Sequence, residues 1–282
     1  MFTQKTEAEH FASLLKSIVL EGGKMARAMR STAAVEEKAD KTLVTAADLA
    51  VTDLVKNRLE PLLKQDNHTL IDEESINELP SIEEVFMSEY QWVLDPVDGT
   101  SPYSVGLPFY AVSLGLLKNG EPWLGAAYLP DMDELFWTDG KGNVMHQVTV
   151  CGAGKTSMLQ KEAAPVYDDT PIFHVVNDKD YQCTGYHVDT GSSVVNGVLA
   201  INSNVAGIID QAKIWDLAAV MAMYKTLGFK MENAHSRTEF IKFGTETLEA
   251  NWRLKEPCIA AFPENMTFMY SKFKNLHAEK AA

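Results

Sequence analysis

The chain has 282 residues, 46% of them hydrophobic, and a formal charge of −14. That length allows two domains or one large layered one, and the acidic balance excludes a nucleic-acid surface, which needs a basic stripe. Apolar stretches such as YAVSLGLL and LAAVMAM fall well short of the ~20 residues that cross a bilayer.

The N-terminus MFTQKTEAEHF lacks a basic-then-apolar export pattern, so the expectation is a cytoplasmic enzyme with no membrane partner. Phe11, Leu14, Leu15, Ile18 and Val19 recur at helical spacing and predict an amphipathic helix ending near Gly22-Gly23. A second helix is predicted in LVTAADLAVTDLVKNRLEPLL, where Thr45 with Asp48 three residues later forms a capping-box pattern. HTLIDEES gives a short strand, Thr69 to Ile71, running straight into acids.

From Trp92 the pattern turns mostly β, in WVL, YAVSLGLL, PWLGAAYL and ELFWT, with Asn119-Gly120 as a hairpin turn. An antiparallel meander is expected. Beyond about residue 145 strands and helices alternate: PIFHVVN, the small-residue helix of GSSVVNGVLA, VAGIID, and IWDLAAVMAMYKTLG closing on Gly228. The poorly patterned stretch Gly152 to Asp169 marks the domain junction, which divides the chain into 1–150, with most of the candidate metal ligands, and 151–282.

CGAGKTS resembles the tail of a phosphate-binding P-loop, but GxxxxGK(S/T) requires glycine where this chain has Thr149. Gly152 to Ser157 therefore reads as a surface loop. Cys151, Cys183 and Cys258 offer neither a disulfide framework nor a paired metal motif and read as core thiols. The seven histidines show no pair at i, i+4, which argues against zinc. Met221, Met223 and Tyr224 read as core.

Asp48, Glu73, Asp95, Asp98 and Asp216 all stand where an apolar strand ends or a helix begins. Any one of them alone would read as a helix cap or a solvated acid. Asp95 and Asp98 flank Pro96-Val97, a turn stiffened by proline that can present the Val97 carbonyl beside the carboxylates. Carboxylate and carbonyl oxygens are what Mg²⁺ accepts. Gly99 and Thr100 follow at a helix start, whose free N–H groups favour an anion. Metal and phosphate could share one short segment, as metal-assisted hydrolysis of a phosphate ester requires. A divalent cation would also reconcile an anionic substrate with so acidic a chain.

These residues resemble the inositol monophosphatase family, in the wider group of Mg²⁺-dependent, lithium-sensitive phosphatases that includes the fructose-1,6-bisphosphatases. Its central motif WVLDPIDGT is matched by WVLDPVDGT, its LVTxxD and IGEES by LVTAAD and IDEES, and its xWDxAA by KIWDLAA. The resemblance implies Glu73, Asp95 and the Val97 carbonyl on one Mg²⁺, and Asp95, Asp98 and Asp216 on a second. It implies two or three Mg²⁺ per site, with Mn²⁺ as a substitute and Li⁺ as an inhibitor. Asp48 and Thr100, helped by Glu73, would position the attacking water, and the Gly99 and Thr100 amides would hold the phosphate. Asp98, Gly191, Ser192 and Asp210 would complete the substrate site. The implied fold is a layered αβαβα sandwich, and the implied assembly a homodimer.

Four departures bear on the substrate. Asp72 replaces the motif's glycine before Glu73, Pro102 stands where asparagine is usual, Asp210 lies one position closer to the WD motif than expected, and the hairpin at DGKGNVMHQ is short. The reading is a phosphomonoesterase acting on a small polyol, sugar or related alcohol. Its rivals are histidinol-phosphate, 3'-phosphoadenosine nucleotide and fructose-1,6-bisphosphate phosphatases, and a regulatory protein that binds metal or phosphate without turnover.

Overall fold

The computed structural model describes residues 6–30, 35–37, 43–150, 153–159, 162–176 and 182–274. Helix α1 (Glu7–Met29) opens on a capping box between Thr6 and Glu9. It runs straight through the expected stop at Gly22-Gly23. Both glycines are buried, and a Cβ on Gly23 would lie 2.3 Å from the Tyr128 ring, so they are there for close helix packing and not for termination. Strands β1 (Val35–Glu37) and β2 (Leu43–Thr45) pair antiparallel and lead into α2 (Ala46–Leu63), whose predicted Thr45–Asp48 capping box is formed.

Strand β3 (His68–Asp72) extends beyond both predicted ends and leads into a 3₁₀ turn, Glu73–Glu78, and the single turn α3 (Ile82–Val85). Next come β4 (Tyr90–Asp98) and the short α4 (Thr100–Ser104). The meander then comprises β5 (Ala111–Lys118), β6 (Glu121–Leu129), β7 (Glu134–Thr138), β8 (Val144–Val150) and β9 (Ala153–Met158). Asn119 and Gly120, at φ 53° and 81°, make the expected hairpin turn. The seven-stranded sheet has the order β3-β4-β5-β6-β7-β8-β9, antiparallel except for the β3/β4 pair. Residues 153–157, read from the sequence as loop, instead form this sheet's edge strand. Its residues 154–158 are exposed and lack apolar alternation, so backbone pairing to β8 is what makes them a strand.

The second half contributes β10 (Ile172–Val175), β11 (Gln182–Cys183), β12 (His187–Val188), α5 (Ser193–Asn202), β13 (Gly207–Asp210) and α6 (Ile214–Leu227). It ends with β14 (Lys230–Asn233), β15 (Cys258–Ala261), α7 (Met266–Ser271) and β16 (Phe273–Lys274). Five strands form a mixed sheet of order β12-β10-β13-β15-β14, and β11 pairs with β16. Helix α6 closes on Gly228 in the left-handed region, as predicted.

The layers follow from which side chains share a core. Trp92 and Leu94 of β4 point with Leu15, Ile18, Val51 and Val55 into the core under α1 and α2. Val93, between them, joins α5 and α6 in the core that separates the two sheets. Ile172, Ile209 and Ile259 face outward from the second sheet onto Met266 and Met269 of α7. The stack is α1/α2, seven-stranded sheet, α5/α6, five-stranded sheet, α7: the expected αβαβα sandwich. Helix α6 lies so close on the first sheet that a Cβ on Gly125 would meet the Ala219 carbonyl at 2.2 Å.

Met221, Met223 and Tyr224 are core, as read from the sequence, and Cys258 is buried. Cys183 is only half-buried, and Cys151 falls outside the described residues. Among the described residues no helix is long and apolar enough to cross a membrane.

Candidate active site

In a regular strand Asp95 and Asp98, three apart, would face opposite sides. The β4/β5 register breaks between them: Asp95 pairs with Ser113, but Asp98 pairs with Ala111. One extra residue is accommodated at Pro96-Val97, a β-bulge that brings both carboxylates to the same side. Proline suits this place because it has no N–H to offer the ladder. Gly99 then adopts φ 84°, with no room for a Cβ, which would lie 2.7 Å from the Phe109 carbonyl and 2.8 Å from the Ser192 Cβ. Thr100 begins α4, and its hydroxyl donates to the Val97 carbonyl at 3.2 Å.

Asp216 reaches the same place from the first turn of α6. Carboxylate oxygens of Asp95, Asp98 and Asp216 lie within 4.8 Å of one another. The acids at the two helix starts also cap them: Asp48 Oδ2 accepts from the Thr45 N–H at 2.7 Å, and Asp216 Oδ2 accepts from the Lys213 N–H at 2.9 Å. Capping and site membership are therefore not alternatives here. The strand ending in Thr45 packs on α4, which sets Asp48 beside the helix of Thr100.

Burial, with the charges of Glu73, Asp98 and Asp216, pushes the Asp95 carboxyl well above the usual carboxylate range. Burial, Asp98 and Glu73 raise Asp216 in the same way. Asp98 is pushed up to about 6 by burial, against the pull of Ser192 and the Val194 amide. Glu73, half-buried at the head of its turn, is thus close enough to act on all three. Asp95 Oδ1 is buried without a hydrogen-bond partner. A cluster of hard, mutually repelling oxygens with such an orphaned acceptor fits a divalent cation.

The second half also fixes the other wall. Asp98 Oδ2 accepts from the Val194 N–H at 2.8 Å and from the Ser192 hydroxyl, whose oxygen in turn caps α5 by accepting from the Val195 N–H at 3.1 Å. Gly191, at φ 81°, lies over Pro102. Asp189, Thr190 and Asn196 were not singled out from the sequence, yet they hold this loop: Asp189 accepts from the Gly191 N–H and Asn196, and Asn196 accepts from Thr190. The D-x-G spacing ahead of a helix was the available signal. Arg30 was missed as well; it donates to the Tyr103 and Leu107 carbonyls and pairs with Asp131, tying the end of α1 to α4.

Asp210 ends β13 with 3% exposure, and burial, aided by the nearby Asp98 charge and opposed by the Ser193 hydroxyl and the Ala212 amide, pushes its carboxyl up to about 8. The sandwich thus gathers Asp95, Asp98, Glu73, Asp216 and Asp210, with Gly99, Gly191 and Ser192 in contact across the two halves.

The Inositol monophosphatase family profile matches residues 7–267. The chain belongs to this family. A fructose-1,6-bisphosphatase/inositol-1-monophosphatase of Aquifex aeolicus is 30% identical over 205 residues, 69% of this chain and 73% of that one. A solved inositol monophosphatase from Zymomonas mobilis superposes with a TM-score of 0.68 at 16% identity, covering 95% of this chain and 99% of its own. A solved IMPase/NADP phosphatase complexed with NADP and Ca²⁺ gives 0.68 at 17% identity, over 93% of each chain. As a member of the inositol monophosphatase family the protein is a phosphoric monoester hydrolase whose substrate is a small phosphorylated molecule. The family's metal dependence matches the acidic cluster of Asp95, Asp98 and Asp216.

Proposed function

We propose that the chain hydrolyses the phosphate monoester of a small polyol, sugar or related alcohol, with Mg²⁺ held by Glu73, Asp95, the Val97 carbonyl, Asp98 and Asp216. The observation that carries this reading is the convergence of Asp95 and Asp98 with Asp216, 118 residues further along, within 4.8 Å. Mg²⁺ bound there supplies Lewis acidity and positive charge against the phosphate.

The chain's own groups supply the rest. The Gly99 and Thr100 amides, at the start of α4, face the phosphate oxygens. Asp48 and the Thr100 hydroxyl orient a water, and Glu73 takes its proton as the water oxygen bonds to phosphorus directly, with no phosphoenzyme; the ester P–O bond breaks in the same displacement and the departing alcohol oxygen takes up a proton from solvent. Gly191, Ser192 and Asp210 contact the alcohol half, while Asp98 ties that wall to the metal ligands. Asp72 is buried in hydrogen bonds of its own, to Thr52 and Ser75. A second and third Mg²⁺, Mn²⁺ substitution, Li⁺ inhibition, a homodimer and a cytoplasmic location belong to the same proposal and rest on the family. So does the division into domains 1–150 and 151–282, with the site between them.

A phosphate-release screen with Mg²⁺ across inositol phosphates, histidinol phosphate, adenosine 3',5'-bisphosphate and sugar bisphosphates tests the reading. Mg²⁺-dependent release from a polyol or sugar phosphate is expected. Release from none of them would contradict it.

A further inference from the structure

Asp72 stands directly before Glu73, where the family motif has a glycine and therefore no side chain. Here the side chain is buried, with 1% exposure, and its oxygens meet a full set of donors. Oδ1 accepts from the Glu74 N–H and the Thr52 hydroxyl, each at 3.2 Å. Oδ2 accepts from the Ser75 hydroxyl at 2.8 Å and lies 3.6 Å from Lys56 Nζ, which itself reaches Ser75.

The donors belong to two different elements. Glu74 and Ser75 are in the turn that Glu73 begins. Thr52 and Lys56 are on α2, four and eight residues beyond Asp48, and so on the helix face that carries it. A residue serving only as a cap needs no more than the Glu74 N–H. The bonds to α2 make Asp72 a clasp between the helix of Asp48 and the turn of Glu73. Those are the two carboxylates given charge of the water, and neither Asp72 nor Thr52 is among the proposed metal ligands.

We propose that Asp72 is a positioning residue for the hydrolysis: it sets the separation of Asp48 and Glu73, and Thr52 transmits its hold to α2. This rests on the roles given to Asp48 and Glu73 above. Glycine at this position leaves the separation to the backbone alone, whereas this chain fixes it with a buried side chain.

The test compares full-length Asp72→Asn, Thr52→Val and Thr52→Ser in kcat, KM, Mg²⁺ half-saturation and melting temperature, with Mg²⁺ binding measured by calorimetry. Loss of a partner that orients a ligand or reacting group typically costs 10–100-fold. Asp72→Asn and Thr52→Val are each expected to lower kcat or raise the Mg²⁺ half-saturation by about tenfold or more, with KM for the ester unchanged within about twofold. Thr52→Ser, which keeps the hydroxyl, should stay near wild type. The Asp72→Asn/Thr52→Val double variant should lose little more than Asp72→Asn alone, because the two changes break one shared contact. Lowered melting temperatures with wild-type kcat and Mg²⁺ response would overturn the proposal. If Asp72→Asn does not fold, the Thr52 pair decides by the same criterion. If the wild type releases no phosphate, the hydrolase reading fails on its own account; the clasp is then judged by calorimetry, where unchanged Mg²⁺ affinity in the variants overturns it.

Discussion

The Val194 amide donates to Asp98 Oδ2 at 2.8 Å, joining the N-terminus of α5 to the end of β4 across 96 residues of chain. Ser192 reinforces the bond with its hydroxyl while capping α5. The start of α5 and the strand that carries Asp95 and Asp98 are therefore one hydrogen-bonded unit.

Ser192→Ala removes the cap and one of the donors to a buried carboxylate. A lost Ser cap costs about 1 kcal/mol, and a weakened bond to a charged group adds about 1–2 more. The melting temperature is expected to fall by several degrees, at roughly 2–4 °C per kcal/mol for a chain of this size. KM for the ester should rise as well, because the Gly191-Ser192 wall loosens. A Ser192→Ala protein with wild-type melting temperature and KM would show that the Asp98 contact holds nothing in place.

Thr100→Ala deletes a hydroxyl that donates to the Val97 carbonyl. The α4 amide remains. The expected result is a fall in kcat of about 10²–10³-fold, within the range for a group that orients a reacting proton, with a much smaller change in Mg²⁺ affinity. Equal losses in both, measured by turnover and calorimetry, would point to collapse of the Asp95–Thr100 turn instead.

Stability of the metal-free protein should fall as pH rises. Burial pushes Asp98 up to about 6 and Asp210 up to about 8 from an ordinary 3.8, and raises Asp95 and Asp216 in the same direction. A folded-state pKa above the unfolded value means that the folded protein holds more protons between the two, so this stability is whole below about pH 4 and is lost as pH climbs through 6 and 8. Thermal melts in chelator should therefore show a decline between about pH 5 and pH 8, which saturating Mg²⁺ reverses. Asp95→Asn should raise the metal-free melting temperature and flatten the decline. A flat profile in the metal-free wild type would contradict the mutual repulsion described here.

What could be read from the sequence was local. The Asp95-Pro96-Val97-Asp98 turn announced itself because its bulge needs a residue without an N–H and is followed by a glycine at positive φ. The caps at Asp48 and Asp216, the turn at Asn119-Gly120 and the end of α6 at Gly228 are fixed within a few residues of themselves. The errors came where a distant partner decides. Gly22-Gly23 looked like a helix stop because their close neighbours, Val51 and Val112 for Gly22 and the Tyr128 ring for Gly23, lie in α2, β5 and β6, and Ala153–Met158 carried no apolar alternation because pairing with β8 alone makes it a strand. Asp72 looked like a departure from a motif, since its partners Thr52 and Lys56 lie earlier in the chain, on a separate helix. Asp189, in a loop, and Asn196, in the first turn of α5, are ordinary polar residues until the fold sets them beside Gly191.

The central claim is that acids from both halves of the chain form one metal site. Titration of Asp216→Asn with Mg²⁺, followed by calorimetry and by turnover, tests it most directly. As a helix-start acid alone, Asp216 would contribute about 0.3–1 kcal/mol at the dipole, and the Lys213 N–H bond shows that this role exists. The account predicts that Asp216→Asn keeps its melting temperature within a degree or two, loses the weaker Mg²⁺-binding event, and needs at least about tenfold more Mg²⁺ for half-maximal activity. A variant that melts early yet keeps the wild-type Mg²⁺ response would contradict the shared site.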